Sequence, residues 1–215
     1  MNARTTSRVK PTSLRLRMKE EARASILDAA EQVLAEQGLH AARMDDIAAR
    51  VGVSVGTLYN YFEDRQQLLE ALRDVRGREL LALLDAELER SQSSPYRARL
   101  HGFLRCILEH SRTHFRLFSL LLEDSLRRGA SREGDMDRHL EMWREVSLRL
   151  EHLGRQGVKE GALRPEDARH YPAMLLDLMQ GLVLRQLIAK QPAPADELLA
   201  PVLRCFLEGA APRPR

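Results

Sequence analysis

The stretch from Met44 to Phe62 constrains this chain more than any other part of its 215 residues. Met44, Ile47, Ala48 and Val51 stand at i, i+3, i+4 and i+7, the spacing of one helical face, and Gly52 supplies a left-handed stop. Ser54 then offers an N-cap for a second short helix reaching about Phe62, in which Leu58 and Phe62 fall four apart on one side. Helices of two turns do not persist alone in water, so both must lean on a neighbour. The preceding segment, about Lys19 to Gln37, is that neighbour: Ile26, Ala30, Val33 and Leu34 line one face, and Gly38 ends it.

Helical periodicity continues through the rest of the chain. Long or medium helices are expected at about 64–91, 96–112, 114–128, 134–160, 166–190 and 196–208. Gly129 and Gly134 bracket a polar turn, and Pro172 fits the first turn of an apolar run. Pro201 either kinks the last helix or marks its true start. No stretch combines β-branched enrichment with strict alternation, so the expected class is all-α, with about nine helices. The division expected is a basic arm without fixed structure at 1–18, a helix-turn-helix domain at 19–66, a larger helical domain at 67–210 and a loose tail at 211–215.

If Leu58 and Phe62 face inward, Val55, Gly56, Thr57, Tyr59 and Asn60 are left largely outward. Such a face makes little sense in contact with water alone. Against double-stranded DNA it does: small residues permit close approach, hydroxyls reach phosphates, and an amide can read a base edge. Two short helices joined by a tight glycine turn match a helix-turn-helix, whose second helix enters the major groove. Charge points the same way. Arg4, Arg8, Lys10, Arg15, Arg17 and Lys19 all precede the first acid, Glu20, although net charge is only +3. That one-signed arm suits phosphate attraction or a solvated tail, and the sequence leaves both open.

Ile47-Ala48, Gly52-Val53-Ser54, Gly56 to Phe62 and Leu68-Leu69 resemble the DNA-binding domain of the tetracycline-repressor (TetR) family, over about Ile26 to Leu72. The resemblance implies that Ser54, Val55, Gly56 and Thr57 open the recognition helix at the groove and that Asn60 reads a base. Tyr59 and Tyr61 are similar to family tyrosines that hold phosphates, with inward packing of Tyr61 left open. Arg65 stands where the family usually has Lys, keeping a charge for phosphate. Three positions depart from the pattern. Arg43 replaces the usual Thr, and Asp45 and Asp46 occupy positions that are often basic or polar. Those acids favour a helix N-terminus but repel phosphates, unless Asp45 accepts from a cytosine amino group. Arg43 therefore joins the expected DNA contacts and Asp45 does not.

The larger domain carries the residues of an ordinary core, and the resemblance implies a ligand cavity among them. Phe103, Cys106, Ile107, His110, Phe118, Leu122 and Trp143 are the expected lining, suited to a small, largely apolar effector. Leu175, Leu178, Met179 and Leu182, with Leu199, Val202, Leu203 and Phe206, form two apolar stripes expected to pair with a second copy in a homodimer, since paired half-sites need a two-fold reader. Cys106, His110 and His114 fall at i, i+4 and i+8, but nothing completes a tetrahedral set, so no metal and no cofactor are expected.

No nucleophile elbow, phosphate-binding loop, dinucleotide fingerprint or zinc-protease motif occurs, so an enzyme is not expected. No apolar run approaches the roughly 20 residues of a membrane span, and with no secretory leader pattern the expected location is the cytoplasm. The expected activity is ligand-responsive DNA-binding regulation, a repressor released by its effector. The rival is a regulator whose larger domain answers to a partner protein or to nothing.

Overall fold

A computed structural model describes residues 14–128 and 133–210, without side-chain detail at 125–128, 133–140 and 210. Nine helices run through the described residues: α1 (Leu14–Gln37), α2 (Met44–Val51), α3 (Val55–Tyr59), α4 (Arg65–Arg90), α5 (Tyr96–Thr113), α6 (Phe115–Arg128), α7 (Glu133–Lys159), α8 (Tyr171–Ala189) and α9 (Ala195–Ala210). Among the described residues the regular structure is all helical. The chain divides into two compact units, Met1–Ala71 and Leu72–Arg215, so α4 crosses the boundary.

Within the first unit α1 supplies the wall on which the short helices lie. Ile26, Leu27, Ala30, Val33 and Leu34 are all buried on it, as are Ile47 and Ala48 of α2 and Leu58 of α3. Gly52 takes a left-handed φ of 79° as the C-cap of α2, and its N–H donates to the carbonyls of Ala48 and Ala49. Any residue with a Cβ would be strained there. Arg50 fastens α2 to α1 through the Glu36 carboxylate and the Gln32 side-chain oxygen. The Arg50 hydrogen bond holds the Glu36 carboxyl below its ordinary range.

In the second unit α5 is the central helix. Leu100, Phe103, Leu104 and Ile107 are fully enclosed, and Val146, Leu153, Leu175, Met179, Leu199 and Leu203 close around them from α7, α8 and α9. Long-range ion pairs tie this unit together, among them Arg99 with Glu160 and Arg149 with Asp85, which it grips with two bonds of 2.7 and 2.8 Å.

Several boundaries differ from expectation. α1 starts at Leu14, so residues 14–18 of the arm are helical; Leu, Arg, Met and Lys are all good helix formers, and their charge pattern concealed that. The arm before Leu14, the turn at 129–132 and the tail at 211–215 lie outside what the structure describes. α8 begins at Tyr171 rather than near Glu166, because residues 166–170 form turns ahead of Pro172 in the first helical turn. Pro201 lies inside α9 rather than starting it. α8 is also long and apolar enough, by length and composition, to cross a membrane, contrary to the expectation that no run approaches a span. Its Tyr171, Leu175 and Met179 nevertheless belong to the core.

Candidate nucleic-acid interface

α3 is one and a half turns long, and its first turn is held by side chains. Ser54, the N-cap, accepts the Thr57 N–H at Oγ (3.0 Å), and the two hydroxyls meet at 2.8 Å. Leu58 is the anchor, with no exposed surface, and Phe62 just beyond the helix is equally enclosed. The remaining positions look outward. Val55, Gly56, Tyr59 and Asn60 are exposed and Thr57 is half-buried. A Cβ at Gly56 would meet only Ser54 Oγ, at 3.8 Å, so nothing in the fold requires a glycine there.

Tyr61 is half-buried, between the two alternatives the sequence left open. Beside it the Arg23 guanidinium stacks on the Phe62 ring, 5.0 Å from its centroid, which joins α1 to the end of the recognition segment. Arg65 is turned toward the protein: its Nε donates to the Ala42 carbonyl at 3.2 Å, steadying the turn before α2. That bond gives Arg65 a structural task the sequence did not announce.

Arg43 caps α2 through its backbone. Its N–H donates to Asp46 (3.1 Å), while its own carbonyl receives the Asp46 N–H (3.1 Å). The Arg43 side chain is exposed and points to Asp45 at 3.3 Å. The two unexpected residues thus face each other, and the acid is partly neutralised where phosphates would otherwise be repelled.

In the second unit an open groove of about 850 Å³ runs between α4 and α5. Of the expected lining, Cys106 and His110 are on it. Phe103 and Ile107 are not: both have zero exposure, because the inner face of α5 is packed by three other helices. Phe118, Leu122 and Trp143 are half-buried and stand outside the groove, with His110, His114 and Phe118 forming a ring cluster at centroid separations of 4.7–6.1 Å. The groove is more charged than expected, with Glu87, Arg90, His101 and Arg105 on its walls. Burial pushes the Cys106 thiol above its usual range, so it is a poor nucleophile. Among the described residues no group of three His, Cys, Asp or Glu could hold a metal.

The expected dimer stripes divide. Leu175, Met179, Leu199, Leu203 and Phe206 are buried in the protomer's own core, because α5 needs them as a wall. Leu182 and Val202 are half-buried. Leu178 is exposed, together with Met174, Leu184 and Ile188. Those four share the outer side of α8 with Gly181, where an added Cβ would meet nothing. The helical register, once α8's inner face is known, identifies them.

Residues 26–72 match the family model of bacterial regulatory proteins of the tetR family. Over 183 residues the chain is 26% identical to an HTH-type transcriptional regulator, YhgD, of Bacillus subtilis, covering 85% of this chain and 92% of that one. Among solved structures it resembles a TetR transcription regulator from Haloarcula marismortui (TM-score 0.72, 21% identity, 89% of this chain and 98% of that one). It also resembles the transcriptional regulator FadR of Bacillus subtilis, solved in complex with stearoyl-CoA (TM-score 0.69, 21% identity, 86% and 98%). Residues 26–72 thus carry a DNA-binding domain of the tetR family of transcriptional regulators, in agreement with the exposed α3, and the chain as a whole shares its fold with the solved regulators.

Proposed function

We propose that this regulator reads its operator through the outward face of α3 as a homodimer, and that it is a repressor released by a small molecule with a largely apolar body. The observation that carries the first half is the contrast on α3: Leu58 is fully enclosed while Val55, Gly56, Tyr59 and Asn60 stand exposed. In this reading Asn60 and Thr57 meet base edges, and Ser54, Tyr59, Tyr61 and Arg43 meet phosphates. Arg65 serves mainly by holding Ala42. The outer side of α8, with Met174, Leu178, Leu184 and Ile188 around Gly181, suits a second copy: a side-chain-free position lets two helices approach closely.

The α4–α5 groove supports the effector half. It is large enough for a ligand of ordinary size, and Arg105 offers charge for an anionic head, while Arg90 is held by Glu87. FadR, which shares the fold, was solved with stearoyl-CoA. A long-chain acyl thioester is therefore the first effector class to try. The test is a mobility shift with duplexes selected by the purified protein from a random pool, followed by titration of the complex with acyl-CoA esters. Retardation at dimer stoichiometry, reversed by an acyl-CoA, supports both halves. Retardation that no such ester reverses removes the acyl-CoA reading, and failure to select any duplex removes the operator reading.

A further inference from the structure

α1 overhangs the fold it supports. Its buried positions begin only at Ile26, yet the helix starts at Leu14, and every residue from Leu14 to Glu21 is exposed. Helical register continues the inner face of α1 outward from Ile26 and Arg23 through Lys19, Leu16 and Arg15. Arg23 lies on the Phe62 ring, immediately past the recognition helix, so the overhang leaves the domain beside the end of α3. At 1.5 Å per residue the nine residues from Arg23 to Leu14 extend about 13 Å beyond that contact. Arg15, Arg17 and Lys19 stand on this projection, Arg4, Arg8 and Lys10 precede it, and no acid occurs before Glu20.

We propose that the projecting start of α1, through Arg15, Arg17 and Lys19, is a second DNA-contacting element that binds backbone phosphates flanking the site read by α3. The inference rests on the α3 reading above, because it uses the position of α3 to place the duplex. Arg15 and Lys19, four apart, share one face of the projection and Arg17 stands on the other, so exposed cations of a single sign lie next to the reading helix; they meet the phosphate backbone without needing a base contact, and their contribution is independent of sequence. A lipid surface fits less well. Leu14 and Met18 are four apart, but Leu16 lies on nearly the opposite side, so the exposed apolar residues make no single membrane-facing stripe.

The experiment uses the full-length protein and a variant with Arg15→Gln, Arg17→Gln and Lys19→Gln, which keeps helix propensity and touches no buried residue. Binding to a 40-base-pair duplex of arbitrary sequence is measured across salt concentrations, with anionic vesicles as a parallel arm. Each lost phosphate contact lowers the slope of log K against log salt by about 0.9, so a fall of about two is expected from the face that carries Arg15 and Lys19. Affinity for a selected operator should fall by the same factor as that for the arbitrary duplex, and backbone protection outside the half-sites should vanish. An unchanged slope in a variant of normal helix content overturns the proposal, as does a loss confined to vesicles. If Thr57→Ala and Asn60→Ala also leave operator binding intact, the α3 reading falls instead.

Discussion

Arg43 and Asp45 form an exposed ion pair, with the guanidinium 3.3 Å from the carboxylate, at the start of the first helix of the helix-turn-helix. Each residue alone departs from the family pattern; together they nearly cancel. An exposed pair of this kind contributes little to folding, roughly 0–1 kcal/mol. Its weight lies in the field that the duplex meets.

Asp45→Asn should therefore leave stability within about 0.5 kcal/mol and strengthen binding to arbitrary duplex DNA about fivefold, roughly 1 kcal/mol, at low salt. Fluorescence anisotropy of a labelled duplex measures it. Weaker binding to the operator alone would mean that Asp45 accepts from a base.

The cap of α3 separates folding from reading. Ser54→Ala removes the acceptor of the Thr57 N–H and should cost about 1 kcal/mol of stability. Asn60→Ala should leave the melting temperature nearly unchanged while lowering operator affinity tenfold or more, with little change on arbitrary DNA, since a base contact discriminates by about 1–3 kcal/mol. Thermal melts and competitive mobility shifts on the same preparations distinguish the two effects.

Gly157 is packed face-on against a buried ring. A Cβ there would come within 2.6–2.9 Å of three Tyr96 ring atoms. Tyr96 is 3% exposed, so its ring is enclosed by the core around it. Gly157→Ala should destabilise the larger unit by about 2–3 kcal/mol, visible as a lower denaturant midpoint, although alanine is the better helix former. An unchanged midpoint would show that Tyr96 has room to move.

The Arg149 hydrogen bonds hold the Asp85 carboxyl below its ordinary range. A carboxyl depressed in the folded state stabilises above its unfolded pKa, near 4, and that contribution disappears as pH falls through the lower folded value. Asp85→Asn should thus be less stable at neutral pH, by no more than about 1 kcal/mol at this largely exposed pair, and should lose less stability between about pH 4 and pH 2. Urea melts at pH 7 and pH 3 measure the difference.

The outer face of α8 is open to a direct test. Leu178→Glu should convert the protein to monomers in sedimentation and abolish operator binding, without lowering helix content, because Leu178 is already exposed in the protomer. A dimer that survives this change would exclude that face as the interface.

Much of the protein was legible in its residues because the signals are local. The apolar spacing at Met44, Ile47 and Ala48, the Gly52 stop and the Ser54 cap are each decided within a turn or two, and so is the outward set on α3. What lay beyond local reach needed the partners of each side chain. An apolar stripe announces burial without saying against what: Leu175, Met179, Leu199, Leu203 and Phe206 close around α5, while Met174, Leu178, Leu184 and Ile188 on the other side of α8 stay exposed. Phe103 and Ile107 fill the core for the same reason, while a charged groove opens where periodicity indicated nothing. Arg65 reaching Ala42 and Arg23 lying on Phe62 join residues 23 and 39 apart in the chain. Helix and turn follow from short-range sterics and hydrogen bonding, which the sequence by itself specifies; which faces meet is set by packing among distant segments, and only the tertiary structure decided it.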